Sequence, residues 1–288
     1  MNTSASDILV ELTIQDMLEL KEKYAKVNHA HYVHTMIDLA IKWRQKYRNE
    51  RITITSPKNS WKTDGSIVIL LDAEVTGIFP YSLGTYENVR QGLLETKRIP
   101  KEYFSFANIH ENYMDIIEEV VEKMNKKIYK KYENFLYEMS IDEAKALEIK
   151  CPSGTYIKKL TKEHVGRIND LWPHKYENSD KDIAVYIEYN GGYGLFSKDN
   201  ELMSWALQGP LGHINLLQTE EKYKGKGYGS IMVQAMAKKI AEDGYIPVAT
   251  VLVHNTASVS LFNKLGFKII AKSYFLKIMS FDMYKSLE

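Results

Sequence analysis

Residues 219–229 read TEEKYKGKGYG. Glycines stand at 225, 227 and 229, with Lys222, Lys224 and Lys226 between and before them. An amphipathic run follows at 229–243, its apolar residues Ile231, Met232, Ala235, Met236 and Ile240 on one face and Gly244 just past its end. Bare backbone beside positive charge at the start of a helix suits an anion, because main-chain N–H groups point at it and the helix dipole favours negative charge. HINLLQT (213–219) reads as a strand before the glycines and PVATVLV (247–253) as a buried strand after the helix. Strand, glycine-rich turn, helix and buried strand make a phosphate-binding βαβ unit. It is neither a P-loop nor a dinucleotide fingerprint, since GxxxxGK[ST] and GxGxxG are both absent.

Working outward, TYIKKL (155–160) predicts a strand, Thr161 caps a helix carrying Val165, Ile168 and Leu171, and 179–189 forms another. YGLFS and ELMSWAL make two antiparallel strands joined by KDN (198–200), and Asn255 to Leu265 is a short helix closed by Gly266. FKIIA and YFLKIMSF are two final strands. Upstream, Thr13 and Asp16 stand in capping-box spacing before a first helix, and a second covers about 31–48. RITITS, SIVILL and EVTGIF read as strands, and 85–95 and 112–131 as helices. The second of these is acidic at its start and ends in Lys126, Lys127, Lys130 and Lys131, a solvated face more readily than a phosphate site. No internal repeat is visible. CPSG (151–154) punctuates the chain best, so the expected division is an N-terminal α/β domain over 1–150 and a second domain over 151–288.

Lys224, Gly227 and Gly229 make a [Q/R]xxGxG-type loop with lysine in the first place, and NTASVSLFNKLGF (255–267) follows one helix and one strand later. With these the chain resembles the GNAT superfamily of acyl-CoA-dependent N-acyltransferases. HVGRINDLW (164–172) and LMSWALQGPLGHI (202–214) are similar to the glycine N-acyltransferase family and its insect-type relatives. The resemblance implies an α/β (α+β) class, with a C-terminal GNAT fold whose central mixed sheet splays, preceded by a mixed α/β N-terminal domain. It implies acetyl-CoA or another acyl-CoA as co-substrate, with the pyrophosphate on Lys224, Gly225, Lys226, Gly227, Tyr228 and Gly229, and Lys222 in reach of the 3′-phosphate. The pantetheine arm would lie between the two splayed strands, pairing with Leu217 and Thr219, and Asn255 and Phe262 would line the same site.

The family places a glutamate base at the start of the strand leading to the pyrophosphate loop; here His213 stands there. Its ordinary pKa of about 6.5 suits proton abstraction from an amine near neutrality, while a histidine that merely bonds a nearby carbonyl is the alternative. Where many GNAT enzymes carry a tyrosine that protonates the departing thiolate, this chain has Phe262. Glu220 and Glu221 would repel phosphate unless solvent-facing, and are expected there. Trp205 either walls the substrate pocket or belongs to the core. A glycine acceptor needs a cation for its carboxylate, and Arg167 is the arginine in the matched segment.

The bulk numbers limit other readings. With 288 residues, 44% hydrophobic and 26% charged, the composition is that of a folded globular chain, and Lys+Arg 38 against Asp+Glu 37 gives no field for nucleic acid. No apolar run approaches the roughly 18 residues of a membrane span. The first residues resemble neither a secretory nor a typical mitochondrial leader, and Cys151 is the single cysteine, so a reducing, cytoplasmic setting is expected, with mitochondria as the alternative by resemblance. His29, His31 and His34 invite a metal reading, but on a helix 29 and 31 point apart, so no metal is expected. The expected reaction is transfer of an acyl group from CoA to a small amine or amino acid, glycine first, by direct attack in a ternary complex in a monomer or weak dimer. The alternatives are an acetyltransferase for an arylalkylamine, polyamine or protein lysine, and a non-catalytic acyl-CoA-binding module.

Overall fold

The computed structural model describes residues 7–27 and 30–285. His29 and the first six residues of the leader reading lie outside the described residues. In chain order the elements are β1 (Leu9–Glu11), α1 (Ile14–Ala25), α2 (His31–Tyr47), β2 (Ile52–Pro57), α3 (Trp61–Asp64), β3 (Ile67–Leu71), β4 (Gly77–Tyr81), α4 (Glu87–Glu95), β5 (Tyr103–His110), α5 (Met114–Lys123) and β6 (Lys126–Glu138). There follow α6 (Ile141–Lys145), β7 (Thr155–Lys159), α7 (Val165–Leu171), α8 (Ser179–Tyr189), β8 (Gly192–Ser197), β9 (Leu202–Gln208), β10 (Ile214–Thr219), α9 (Tyr228–Glu242), β11 (Val248–Leu252), α10 (Thr256–Lys264), β12 (Lys268–Ser280) and α11 (Phe281–Lys285). The chain forms two compact units, Met1–Asn134 with Ala271–Glu288, and Phe135–Ile270. The sequence division at 150 differs from this in two ways: residues 135–150 cluster with the second unit, and the last 18 residues return to the first, because β12 pairs antiparallel with β5. The CPSG stretch is a loop within the second unit.

In the first unit β1, β2, β3 and β4 are antiparallel neighbours, β5 lies parallel to β4, and β12 follows β5. The Thr13 capping box holds α1: the Asp16 N–H donates to Thr13 Oγ1 at 3.1 Å and the Thr13 N–H to Asp16 Oδ2 at 3.0 Å. In the second unit β7, β8, β9 and β10 are antiparallel neighbours and β11 runs parallel to β10. Every residue of β9 is buried, as a strand covered on both faces requires. Helix α9 buries Ile231, Met232, Ala235, Met236, Ala237, Ile240 and Ala241 in the core formed with β8, β9 and β11. Its alanines let the helix lie close to the sheet, and Gly244, at φ 91°, ends it.

Two elements differ from the sequence reading. The helix expected over 112–131 stops at Lys123, because Asn125 takes the left-handed conformation (φ 56°), and the lysines 126, 127, 130 and 131 stand on strand β6. The two expected final strands are one, β12, of 13 residues.

If α9 is the centre of the second core, Met236→Ala should cost about 2–5 kcal/mol through the cavity it leaves. Urea unfolding followed by circular dichroism measures it, and an unchanged midpoint would contradict this packing.

Candidate active site

The site is built where β10 and β11 part. They share a single register pair, Ile214↔Ala249, the first residue of β10 and the second of β11. Beyond it β10 bulges: its register against β9 shifts between Asn215 and Gln218, and Leu216 sits at φ 47°. A β-side chain in that conformation is strained, and the bulge is held by the Asn215 side chain, whose Oδ1 accepts the Leu216 N–H at 2.7 Å. The two parallel strands therefore separate toward their C-terminal ends, and main-chain groups of β10 face the opening instead of a neighbouring strand.

At that end lies the glycine loop. Gly225 and Gly227 have φ of 75° and 79°, and a Cβ built on either meets nothing within 4 Å. Both need glycine for their backbone shape, and both border open space. Gly227 is the N-cap of α9. Among the described residues, the N–H groups of residues 225–229 have no main-chain acceptor. They are the orphan donors of a helix start, aimed at a free surface, which is what an oxyanion needs. Gly229 plays a different part: its Cβ would lie 3.4 Å from Leu261 Cδ1 and 3.6 Å from Thr219 Oγ1, so α9, α10 and the end of β10 converge on it. Thr219 Oγ1 is further tied to Ser204 Oγ at 2.8 Å, and Leu217 is half-buried against the core. Tyr228 packs beside Tyr223.

The lysines divide into two groups. Lys226 lies over the Tyr223 ring at 5.3 Å and makes no ion pair among the described residues. Lys224 pairs with Glu221 at 2.6 Å, both exposed, a contact worth about 0–1 kcal/mol that an incoming phosphate would displace. Lys222 is paired with Glu201, which also accepts from the Tyr223 hydroxyl.

Glu220 corrects the sequence expectation. Glu221 is exposed as expected, but Glu220 is only 6% exposed. Its N–H donates to Met203 O at 3.0 Å, continuing the β10 ladder, and its Oε1 accepts from Arg167 Nε at 2.9 Å and Nη2 at 2.6 Å. Sequence reasoning missed this because the partner comes from α7, 53 residues away. Arg167 is thereby held just past the C-terminal end of β10, whereas His213 precedes its N-terminal residue. A strand of this length spans close to 20 Å at about 3.3 Å per residue, so one small molecule does not touch both side chains.

His213 sits in the tight turn before β10. The Gly209 N–H donates to His213 O at 2.8 Å, Gln208 Nε2 donates to Gly212 O at 3.2 Å, and Asn190 Nδ2 donates to Gly209 O at 2.8 Å. Lys239 Nζ donates to Gln208 Oε1 at 2.8 Å, which ties the turn to α9. The imidazole is buried, and its Nε2 has no hydrogen-bond partner. Burial pushes its pKa from 6.5 down to about 4, so the ring is neutral at pH 7 and one ring nitrogen is free to take a proton. An orphaned buried polar atom is costly, at about 1–3 kcal/mol, and calls for a physical reason.

Trp205 is 1% exposed within β9. Asn255 caps α10, its Oδ1 accepting the Ser258 N–H at 3.1 Å. Phe262 is 3% exposed; its ring stacks on Tyr137 at 5.5 Å and meets Phe267 edge-on at 5.0 Å. It offers hydrocarbon at the position where a hydroxyl would donate a proton. Among the described residues no group of three or more His, Cys, Asp and Glu is placed to hold a metal, and no helix is long and apolar enough to cross a membrane.

The buried neutral imidazole sets a pH signature. Between pH 6.5 and about 4 the unfolded chain binds a proton that the folded ring refuses, so stability falls as pH falls through that window. By pH 4 this amounts to about 3 kcal/mol. His213→Asn should remove that part of the acid destabilisation, read as the difference in urea-derived stability between pH 7 and pH 4; identical pH dependence in both proteins would contradict the burial.

The comparisons agree with this geometry. An FR47-like protein family model matches residues 192–276, which run from β8 through the loop and α10 into β12. A Drosophila protein of known structure superposes with a TM-score of 0.88 at 20% identity, covering 95% of this chain and 99% of that one. A tandem GNAT protein from the clavulanic acid biosynthesis pathway gives 0.57 at 8% identity, over 93% and 97%. A GCN5-related N-acetyltransferase from Sphaerobacter thermophilus gives 0.58 at 9%, over 94% of each. By sequence, the chain is 27% identical to a probable tRNA pseudouridine synthase B of Halobacterium salinarum over 38% of its own length, and it spans 44% of that curated relative. The splayed parallel pair, the glycine loop on α9, the FR47-like segment and the structural neighbours converge on one statement: the chain has the mixed α/β fold of the GNAT acetyltransferases.

Proposed function

We propose that the second unit is an acyl-CoA-dependent N-acyltransferase that moves an acyl group from a CoA thioester to a small amine or amino acid within a ternary complex. The observation that carries this is the row of orphan N–H donors over residues 225–229, opening onto free space beside the gap between β10 and β11. A pyrophosphate fits that cradle without displacing any side chain of Gly225 or Gly227, and Lys226 and Lys224 supply the countercharge. The extended arm of CoA is a natural partner for the exposed ladder of β10 at Leu217 and Thr219.

In this reading the β10 bulge opens the gap in which the thioester lies, and His213 stands at its far end from the phosphates. The amine attacks the thioester carbon as the free base, its nitrogen becomes an acidic ammonium in the tetrahedral adduct, and His213 accepts that proton as the thiolate leaves. The ring is already neutral at pH 7. Phe262 donates nothing to the leaving thiolate, so that proton comes from solvent.

Glycine is the first acceptor to test, by resemblance. Its carboxylate would have to be met by main-chain N–H groups near the turn at 209–213, since Arg167 is held at the other end of β10. Amines without a carboxylate, such as arylalkylamines and polyamines, are the competing acceptors.

The test is release of free CoA thiol from a panel of acyl-CoAs and amines. Gly227→Val should lower CoA affinity by more than tenfold, because the new side chain fills the cradle at a left-handed backbone position. His213→Ala should lower kcat by about 10²–10⁴ while leaving CoA affinity nearly intact. Tight CoA binding with no amine turned over would favour a non-catalytic acyl-CoA-binding role, and full CoA affinity in the Gly227 variant would remove the site.

A further inference from the structure

The chain repeats one order of elements. Residues 9–138 run β1-α1-α2-β2-β3-β4-α4-β5-α5-β6 and residues 155–280 run β7-α7-α8-β8-β9-β10-α9-β11-α10-β12, with α6 between the two runs; β12 pairs within the first unit and the end of β6 belongs to the second. The pairing agrees strand for strand. β1/β2, β2/β3 and β3/β4 are antiparallel, as are β7/β8, β8/β9 and β9/β10; β4/β5 is parallel, as is β10/β11. Even the last position corresponds: the place beside the fifth strand goes to a strand distant in sequence, β12 beside β5 and β6 beside β11. The first unit adds only the one-turn helix α3 between its second and third strands. By this correspondence, the turn leading into α4 (residues 82–86, SLGTY) stands where the glycine cradle stands before α9.

That turn is closed where the other is open. Gly84 is its single glycine, and a Cβ there would come within 2.9 Å of Asp64 Cβ. The Gly84 N–H donates to Ser82 Oγ at 3.2 Å and the Leu83 N–H to Asp64 O at 2.9 Å, so these donors are already used. The charge is reversed as well: Asp64 and Glu87 stand at the start of α4, where the second unit has lysines. Aromatic rings gather at the ends of these elements. Tyr86, ahead of α4, and Tyr113, ahead of α5, stack at 4.0 Å; Tyr81, the last residue of β4, lies 6.1 Å from Tyr113, 5.8 Å from Tyr32 and 5.8 Å from Tyr24. The Tyr86 hydroxyl donates to Pro80 O at 2.8 Å and that of Tyr24 to Gly65 O at 2.7 Å, which fixes the rings in place. In the second unit the corresponding elements, β10, α9 and α10, meet at Gly229, through Thr219 and the mid-helix Leu261.

We infer that the chain is two copies of one architecture, and that the first copy's cofactor cleft is plugged by Tyr81, Tyr86 and Tyr113, so the protein takes one acyl-CoA per chain, in the second copy. This rests on the proposed role of residues 225–229. The first copy is then a scaffold, and neither a second catalytic centre nor an effector site for CoA.

Two measurements on the full chain test it. Calorimetric titration with coenzyme A should give one site per chain, lost in Gly227→Val with the circular dichroism spectrum retained. Two sites in the wild type, with one surviving in the variant, would overturn this inference while leaving the proposed function standing; a single site that survives in the variant would overturn both. The second measurement does not depend on CoA. Nitration by tetranitromethane, mapped by peptide mass, should leave Tyr24, Tyr32, Tyr81 and Tyr86 unmodified in the native protein while the exposed Tyr156 and Tyr176 react. Prompt nitration of Tyr81 and Tyr86 would mean an open cleft and would sink the inference. Should the wild type bind no CoA, the proposed function falls and this second result alone decides.

Discussion

The bulge in β10 is the constraint on which the second unit depends. Two parallel strands that pair at Ile214↔Ala249 would ordinarily continue side by side to their ends. Leu216, held in the left-handed region by the Asn215 side chain, turns β10 aside and leaves the pair open at one end only. Everything else at the site is placed with respect to that opening. The glycine loop caps its wide end because α9 must start where β10 stops, and Gly229 lets α9, α10 and Thr219 meet there. His213 occupies the narrow end because the turn of residues 209–212 delivers it directly ahead of the first strand residue.

Electrostatically the two ends differ. The wide end carries exposed lysines and, among the described residues, N–H groups without a main-chain acceptor, and the buried acid Glu220 there is neutralised by Arg167. Without that pairing a buried carboxylate beside a phosphate site would oppose anion binding. The pair also ties α7 to the end of β10, the strand that shapes the gap. The narrow end holds a buried imidazole, neutral at pH 7, whose Nε2 has no partner, and Lys239 ties its turn through Gln208. In the proposed role, exposed lysines at one end and a neutral imidazole at the other suit a long anionic co-substrate that reacts away from its phosphates.

Local features were legible in the sequence. The glycine spacing, the α9 stripe and the Thr13 capping box each depend on residues within a few positions of one another, and each appears in the structure as read; Asn255, read as the first residue of a helix, is its N-cap. What depends on distant partners was not legible. Glu220 reads as a surface acid until α7 brings Arg167 to it, and residues 126–131 read as a helix end until Asn125 reverses the chain into β6. The inferred repeat was invisible because topology is shared while residues are not: uncharged SLGTY, beside Asp64 and Glu87, and cationic KGKGY occupy corresponding turns. Phe262 was read as part of the cofactor site from its offset alone, and its ring is taken up by the core with Tyr137 and Phe267.

The central claim is that an acyl-CoA lies in the gap opened by the β10 bulge, with its phosphates on the α9 start. Amide hydrogen exchange with and without coenzyme A tests it most directly. The account predicts slower exchange on binding for residues 225–229 and for Leu217 and Thr219, with the amides of residues 82–86 unchanged. Protection that appears elsewhere, with 217–229 exchanging at the same rate in both states, would contradict it.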